Sequence, residues 1–586
     1  MTGTRDRRWG ARQTRPALLA GLLAAACGGA PAGESRSAVL ITLDTVRADA
    51  VACYGGPAGL TPSLDALARE GVLYERAHTV APLTLPSHAS MLTGLYPPRH
   101  TLRTNGESRL PDSALTVAEA ARAAGIQTAA IIGAVVLDDA FGVDQGFDHF
   151  DAPRRRLESS TTAYADRRHG EVVAAARSWL AARDRDRPFF LWVHVWDAHP
   201  PSDPDPLFAA RAPGTPYLGD VAQADHAVGQ VLEALRAEGA LAGTFLAVAG
   251  DHGEAFLEHG EVSHGAYCYE PTLRVPFLLR YSDGFRAGER SREVVSVVDL
   301  GPTLRAALGL PAGAELDGQS LYRTALPADR GVYFESYYGW LVYDWSPVAG
   351  WIDDRGKYLH SSIPELYDVQ ADPGEADDLA NARPAEVERY RRAIAEVAAR
   401  PPLPGAAGAA LDEEQRARIA ALGYGGRGPR ALALPHPLAD TGLPAPTQTA
   451  AELQEVIAAT DLLNAGRPAE AEARHRAILQ ANPDNFYSLE FLATLLMQRR
   501  DFAAAAPLLE RVMQSDRGSA SAALNLGICR RAAGDDERAV FWFEAALEID
   551  ANNVRAIRQL QDVWIKRGDA TRAAFWAKRY AELTGR

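Results

Sequence analysis

The sequence predicts an α/β domain over residues 36–400, built on a large, mixed, mostly parallel sheet between helices, and an all-α solenoid over residues 451–586. Three observations predict it. Short apolar runs that hand over to polar residues at their C-terminal ends alternate with Ala- and Leu-rich stretches, the pattern of strands and crossover helices. A Pro-, Gly- and Ala-rich segment, residues 401–450, interrupts that alternation and reads as a linker with one short helix near residues 411–422. Beyond it, small and apolar residues recur every 34 positions.

Length and charge bound what this fold can do. A chain of 586 residues exceeds one hydrophobic core, so two or three self-supporting domains are expected. The net charge of −14 and the absence of any clustered basic patch argue against a nucleic-acid partner. Lys357, Lys566 and Lys578 are the sole lysines, so any anion met earlier in the chain must be held by Arg, His, backbone N–H or metal. At the N-terminus, Arg5, Arg7, Arg8, Arg12 and Arg15 precede an apolar run, residues 17–26, and then Cys27. That order reads as a signal peptide, with Ala25-Ala26-Cys27 as a lipoprotein cleavage site over residues 1–27. The run is too short to span a bilayer, which takes about 20 residues. The expected product is exported, periplasmic or envelope-bound, and touches a membrane only through a lipid anchor. Cys53, Cys268 and Cys529 are isolated and suggest neither a zinc finger nor a disulfide framework.

Four apolar runs carry the sheet. Residues 38–43 end at Asp44, residues 128–137 at Asp138-Asp139, residues 189–196 at Asp197, and residues 245–249 at Gly250-Asp251. Their near-continuous hydrophobicity is that of strands covered on both faces. In open α/β sheets the C-terminal strand edge is where ligands bind. In the solenoid, Ala471, Ala505, Ala539 and Ala573 are in register, and Gly466, Gly534 and Gly568 share a phase with Arg500 standing in the second unit. The period, with small residues at helix contacts and Gly at the turns, resembles the tetratricopeptide repeat, in about four units.

Three constellations carry chemistry. Asp44, with Thr45, Arg47 and Asp49, follows the first strand; alone it would be a helix cap or loop residue. Thr84 precedes Pro86 and a helix-compatible run, which puts it at a helix N-terminus, where free N–H groups and the macrodipole favour an anion; a plain N-cap would look the same. Asp251-His252-Gly253-Glu254 ends another strand, with His259 and His264 after it, and offers one oxygen and one nitrogen ligand to a divalent cation.

Leu40-Ile41-Thr42-Leu43-Asp44, Thr84-Leu85-Pro86-Ser87-His88, Asp197-Ala198-His199-Pro200 and Asp251-His252-Gly253-Glu254 resemble, in this order, the motifs of sulfatases and their phosphodiesterase and phosphonate monoester hydrolase relatives in the alkaline phosphatase superfamily. Leu316-Asp317-Gly318 and Asp372-Pro373-Gly374-Glu375 continue the likeness to about residue 400. The resemblance implies a small C-terminal α+β subdomain and an ester hydrolase. It implies Asp44, Asp251, His252 and the Thr84 oxygen as ligands of one divalent ion, Mn²⁺, Ca²⁺ or Mg²⁺, with Zn²⁺ as a further option. Asp197 and His194 are only loose candidates for a second ion. Thr84 would be the nucleophile, His199 the group that protonates the leaving oxygen, and Asn105 and His264 the holders of substrate oxygens, His264 standing where relatives have a Lys. Thr45 stands where many sulfatases have a further ligand Asp.

Position 84 departs from the sulfatase pattern, which requires Cys or Ser in a C-x-P-S-R context for conversion to formylglycine; here the two key positions are Thr84 and His88. Thr cannot become that aldehyde. A Thr ester must be hydrolysed at its central atom, which favours phosphate or phosphonate (di)esters as the anionic substrate. The alternatives are a sulfatase acting on sulfate monoesters, a transferase of phospho-alcohol head groups, and an inactive scaffold that grips a protein partner through its repeats. Pocket walls are expected from residues 103–109, 200–217 and 333–345, where Tyr337, Tyr338, Trp340, Tyr343 and Trp345 would line either an aryl or sugar site or simple packing.

Overall fold

The computed structural model describes residues 37–106, 108–153, 166–313, 315–404, 434–514 and 518–584. The expected signal peptide, Cys27 and the short helix near residues 411–422 lie outside them. The main sheet has eight strands: β1 (Ser37–Leu43), β2 (Val72–His78), β3 (Gln127–Ile131), β4 (His149–Asp151), β5 (Phe189–Val195), β6 (Thr244–Gly250), β7 (Phe277–Arg280) and β8 (Glu289–Ser296). Their order is β4-β3-β5-β1-β6-β7-β2-β8. The five from β4 to β6 are parallel, β7 runs antiparallel to both neighbours, and β2 pairs β8 in parallel.

The central strand β1 shows why a continuous apolar run is needed. Its period of two sends Ala38 and Leu40 into one core and Val39, Ile41 and Leu43 into the other, with helices over each face. Leu43 pairs with Val195 of β5 and Gly250 of β6. One residue further, the Asp44 amide donates to the Val195 carbonyl at 3.0 Å and the Asp251 amide to the Leu43 carbonyl at 3.1 Å. Pairing register therefore places the two aspartates side by side at the C-terminal sheet edge.

The run at residues 128–137 is shorter as a strand than its hydrophobicity suggests. β3 stops at Ile131, and Val135–Leu137 forms a 3₁₀ turn. Gly133 sits so close to the backbone of His194 and Arg167 that a Cβ there would lie 3.0 Å and 3.2 Å from their carbonyl oxygens. The chain turns across the sheet edge at that point, and the apolar residues beyond it fill the core as loop.

A second, antiparallel sheet of four strands, β9 (Val332–Ser336), β10 (Val348–Ile352), β11 (Lys357–His360) and β12 (Glu365–Tyr367), has the helix Pro384–Ala398 against it through buried Tyr390 and Ile394. This is the expected α+β subdomain. Beyond it come eight helices in four pairs, Pro446–Asn464 to Ala570–Thr584, among the described residues. The later pairs start at Phe486, Ala520 and Val554, one repeat apart. Gly466, Gly534 and Gly568 take positive φ at the turns within pairs, and Arg500 takes φ 62 in the same place, a conformation that costs a non-Gly residue about 1 kcal/mol.

The first repeat helix begins at Pro446, inside the segment read as linker, and is no free tether. Leu453, Ala450 and Ile457 pack into the cluster around Tyr267, Tyr269 and Trp345. Tyr267 donates its hydroxyl to the Pro446 carbonyl at 2.8 Å, and Gln454 Nε2 donates to the Gly260 carbonyl at 3.1 Å. The array is thus seated on the loop that runs from Glu258 to Tyr269. Among the described residues, no helix is long and apolar enough to cross a membrane.

Candidate active site

Four segments converge at the edge formed by β5, β1 and β6. Thr84 opens the helix Thr84–Thr93 and is fully buried, with Oγ1 3.3 Å from His252 Nε2. His252 Nε2 is 3.8 Å from Asp44 Oδ1 and 3.8 Å from Asp251 Oδ2. Donor atoms of Asp44, Asp251 and His252 all lie within 4.8 Å of one another. His252 is oriented by its own neighbour, with Nδ1 donating to the Gly253 carbonyl at 3.0 Å and Nε2 turned to the cluster. Gly253 is obligatory, since a Cβ there would meet the Pro271 carbonyl oxygen at 2.0 Å.

The electrostatics match a cation site. Both oxygens of Asp44 and Oδ2 of Asp251 are buried with no hydrogen-bond partner. Burial first, and Asp251 second, raise the Asp44 pKa well above the usual carboxylate value. Unpaired buried carboxylates of this kind are costly unless protonated or bound to a cation. Two carboxylates, one imidazole and a threonine oxygen fit a divalent ion.

The other expected residues differ in what they offer. Asn105 accepts from the Leu85 amide through Oδ1 at 2.9 Å, while its Nδ2 is buried without a partner. The side chain is held by the helix that Thr84 opens, and its Nδ2 is left over for a ligand. His264 is tied by Nδ1 to Glu254 Oε2 at 2.9 Å, and its ring centre is 4.5 Å from that of His252. His199 donates Nδ1–H to the Pro200 carbonyl at 2.7 Å and stacks on Trp196 at 3.8 Å. Burial, then His264, hold its pKa well below the ordinary value, so it stands as a neutral imidazole. It can deliver a proton only after it has taken one up.

Several expectations are corrected here. The helix N-terminus has few free amides: the Leu85 N–H is used by Asn105, the Ser87 N–H by the Leu83 carbonyl, and Pro86 has none. Thr45 turns its hydroxyl to the Asp44 carbonyl at 2.8 Å and offers Asp251 only its amide. Arg47 and Arg103, which could have replaced the missing Lys, are neutralised. Arg47 pairs with Asp49 and Glu258, and Arg103 forks onto Glu335 while lying 4.0 Å over the Tyr337 ring. The aromatics of residues 337–345 belong mainly to the seam with the repeats: Tyr337 donates to the Pro435 carbonyl, and Tyr343 stacks on Trp345 at 4.6 Å and faces Tyr487 at 5.2 Å.

Sequence reasoning gave no role to Glu254 or His88, and only a loose one to His194, although the site uses all three. Glu254 orients His264. His88 is fully buried, with Nδ1 2.8 Å from the Thr84 carbonyl and Nε2 2.9 Å from Thr42 Oγ1. Its pKa is pushed down to about 3 by burial and then by His194, so it is a neutral imidazole, and its two hydrogen bonds brace the turn at Thr84. His194, set aside as a loose candidate, lies 3.2 Å by Nε2 from Asp44 Oδ2. A signal existed for the last pair: Thr42 and His194 share the strand parity of Asp44, and they pair directly across β1 and β5.

Comparison with known proteins points to the same fold. Residues 36–310 match the sulfatase family model, residues 258–395 the model of the N-sulphoglucosamine sulphohydrolase C-terminal region, and residues 458–512 and 496–563 two tetratricopeptide repeat models. Human N-acetylgalactosamine-6-sulfatase is 26% identical over 363 residues, covering 52% of this chain and 69% of its own. Human arylsulfatase A is 27% identical over 436 residues, covering 61% and 86%. In three dimensions, the phosphonate monoester hydrolase of Agrobacterium radiobacter superposes with a TM-score of 0.51 at 21% identity, over 62% of this chain and 95% of its own, which shows a shared fold. With fold, strand-end carboxylates and these matches in agreement, the chain carries a sulfatase family domain, that of an ester hydrolase, with tetratricopeptide repeats beyond it.

Proposed function

We propose that this chain hydrolyses phosphate or phosphonate esters through a covalent Thr84 intermediate. The observation that carries the reading is the Thr84 hydroxyl, buried at the start of its helix and 3.3 Å from His252 Nε2 beside Asp44 and Asp251. A divalent cation bound by Asp44, Asp251 and His252 would supply the charge that favours the Thr84 alkoxide and screens the transferred group. Thr84 Oγ then forms a bond to phosphorus as the ester oxygen departs, and water later displaces Thr84 to release the acid. Asn105 Nδ2, anchored through its own oxygen, donates to a non-bridging oxygen, and His264, fixed by Glu254, faces the same centre. His199 keeps its Nδ1 proton on the Pro200 carbonyl, so its proton traffic runs through Nε2. The negative charge of a bound ester raises its pKa and lets it protonate the leaving oxygen.

The test is intact-protein mass spectrometry after brief exposure to nitrophenyl phosphodiester, phosphonate and sulfate substrates, with turnover of each compared in wild type and Thr84→Ala. An adduct with the mass of the transferred phosphoryl or phosphonyl group, including any ester or carbon substituent retained on phosphorus, that maps to Thr84 and disappears in Thr84→Ala supports the reading. The sulfatase names of the sequence relatives favour a second reading, sulfate monoesters, and turnover of the sulfate substrate alone would select it. Undiminished turnover in Thr84→Ala would overturn the nucleophile. The arginines before residue 16, the apolar residues 17–26 and Cys27 support export with a lipid anchor in the cell envelope, checked by the mass of the mature N-terminus. The repeat array supports a protein partner on its concave face, checked by crosslinking in the intact envelope.

A further inference from the structure

Thr42 lies outside the ligand set, yet its hydroxyl joins three rings. Oγ1 accepts from Trp192 Nε1–H at 3.0 Å and stands 2.9 Å from His88 Nε2 and 3.0 Å from His194 Nδ1. All four side chains are fully buried. A hydroxyl has one proton, so Thr42 donates to one imidazole and accepts from the other.

The far side of His88 decides which. Its Nδ1 faces the Thr84 carbonyl, which can only accept, so Nδ1 carries the proton of a neutral His88. His88 Nε2 is then bare and takes the Thr42 proton. His194 must therefore donate to Thr42 from Nδ1, which leaves its Nε2 with a lone pair and no proton. That nitrogen is 3.2 Å from Asp44 Oδ2, without hydrogen-bonding alignment, and neither atom has a hydrogen-bond partner. The reverse order, His194 donating to Asp44, would need both nitrogens of His88 protonated: a buried imidazolium whose carboxylate neighbour, Asp251 Oδ2, stands 3.7 Å away.

Two buried acceptors that close repel unless a proton or a metal cation lies between them. We infer that His194 Nε2 is a nitrogen ligand of a divalent cation held by Asp44, entering beside that carboxylate's Oδ2. Metal–ligand bonds of about 2.1 Å at a right angle set adjacent donors about 3 Å apart, the separation seen here. Asp44 thereby lies between two imidazoles, with Oδ1 toward His252 and Oδ2 toward His194. A second nitrogen shifts preference away from Ca²⁺ and Mg²⁺ toward Mn²⁺ or Zn²⁺. The assignment rests on Asp44, Asp251 and His252 being a cation site, and the test separates the two.

Full-length protein stripped with chelator and reloaded with Mn²⁺ is read by pulsed electron paramagnetic resonance, which counts coupled imidazole nitrogens, and by calorimetry for affinity and stoichiometry. Two nitrogens are expected in wild type and one in His194→Phe, with affinity at least about tenfold weaker in the variant. Thr42→Val breaks the hub without touching Nε2 and should keep both nitrogens. Should His194→Phe not fold, His194→Gln reads the same count. A stoichiometry of one or two ions tells whether His194 shares the ion of His252 or holds a neighbouring one, and both outcomes keep it as a ligand. One ion with a single coupled nitrogen in wild type, or a nitrogen count and ion stoichiometry both unchanged in the His194 variant, would overturn the assignment. Wild type that binds no Mn²⁺ would overturn the cation site itself.

Discussion

Two pairs of buried carboxylates in this chain meet the same cost in different ways. Glu270 and Glu375 enclose Lys357, whose Nζ is fully buried and lies 3.1 Å and 2.8 Å from their oxygens. Although desolvation alone would raise it, Glu270 is held below its ordinary pKa by Lys357 and His78. Asp44 and Asp251 are fully buried, and among the described residues their charged-group contacts are imidazoles: His88, His194 and His252. Asp44 rises, and so does Glu375, which burial pushes up to about 7 despite the shared ammonium; only Glu270 falls. Where the chain supplies its own ammonium, the pair is structural; where it supplies none, the pair has room for a cation from outside. Glu261 is a third solution, a lone carboxyl that accepts the Ala266 and Tyr267 amides and is pushed up to about 8 by burial.

The contrast can be broken at each point. The largest effect is expected at the nucleophile: Thr84→Val keeps the circular dichroism of the fold and loses at least about 10³-fold in turnover. Lys357→Met strands two buried carboxylates and costs about 3–5 kcal/mol in urea unfolding, which added divalent metal does not restore. For Glu261 the folded pKa lies above the unfolded one, so its contribution is whole below the unfolded value of 4.5 and is lost as pH rises toward about 8. Between pH 5 and pH 8 wild type should lose on the order of 3 kcal/mol relative to Glu261→Gln, and parallel pH profiles of the two would refute it. Mn²⁺ at a hundredfold excess over its dissociation constant should stabilise wild type by about 2.7 kcal/mol in thermal unfolding, a gain that Asp44→Asn abolishes. The smallest change is expected at the seam, where Tyr487→Ala removes the stacking on Tyr343 and costs about 1 kcal/mol without altering Mn²⁺ affinity.

Much of the site was legible because strand ends are legible. A buried strand must be apolar throughout, so the first acidic residue after it marks the sheet edge, and Asp44 and Asp251 stand out for that reason. The second rank of residues was not. His88 read only as a departure from a motif and His194 only as a loose candidate for a second ion, since what gives them meaning is a shared hydroxyl 46 and 152 residues away along the chain. Helix position suggested free amides at Thr84, but Asn105 and Leu83 had already taken two of them. The Pro-rich segment looked like a tether because composition reports backbone preference and says nothing of what a following helix packs against.

By itself the sequence determined the elements: two-sided strands, a 34-residue helical period, and the order of acidic and histidine stations along the chain. These follow from local chemistry, the period of a strand or helix and the cost of burying charge. Tertiary structure alone decided which stations are neutralised, which carry a proton and which remain open. Hydrogen bonds and ion pairs are satisfied across space, and a side chain's charge state depends on every group that packing brings within a few ångströms of it.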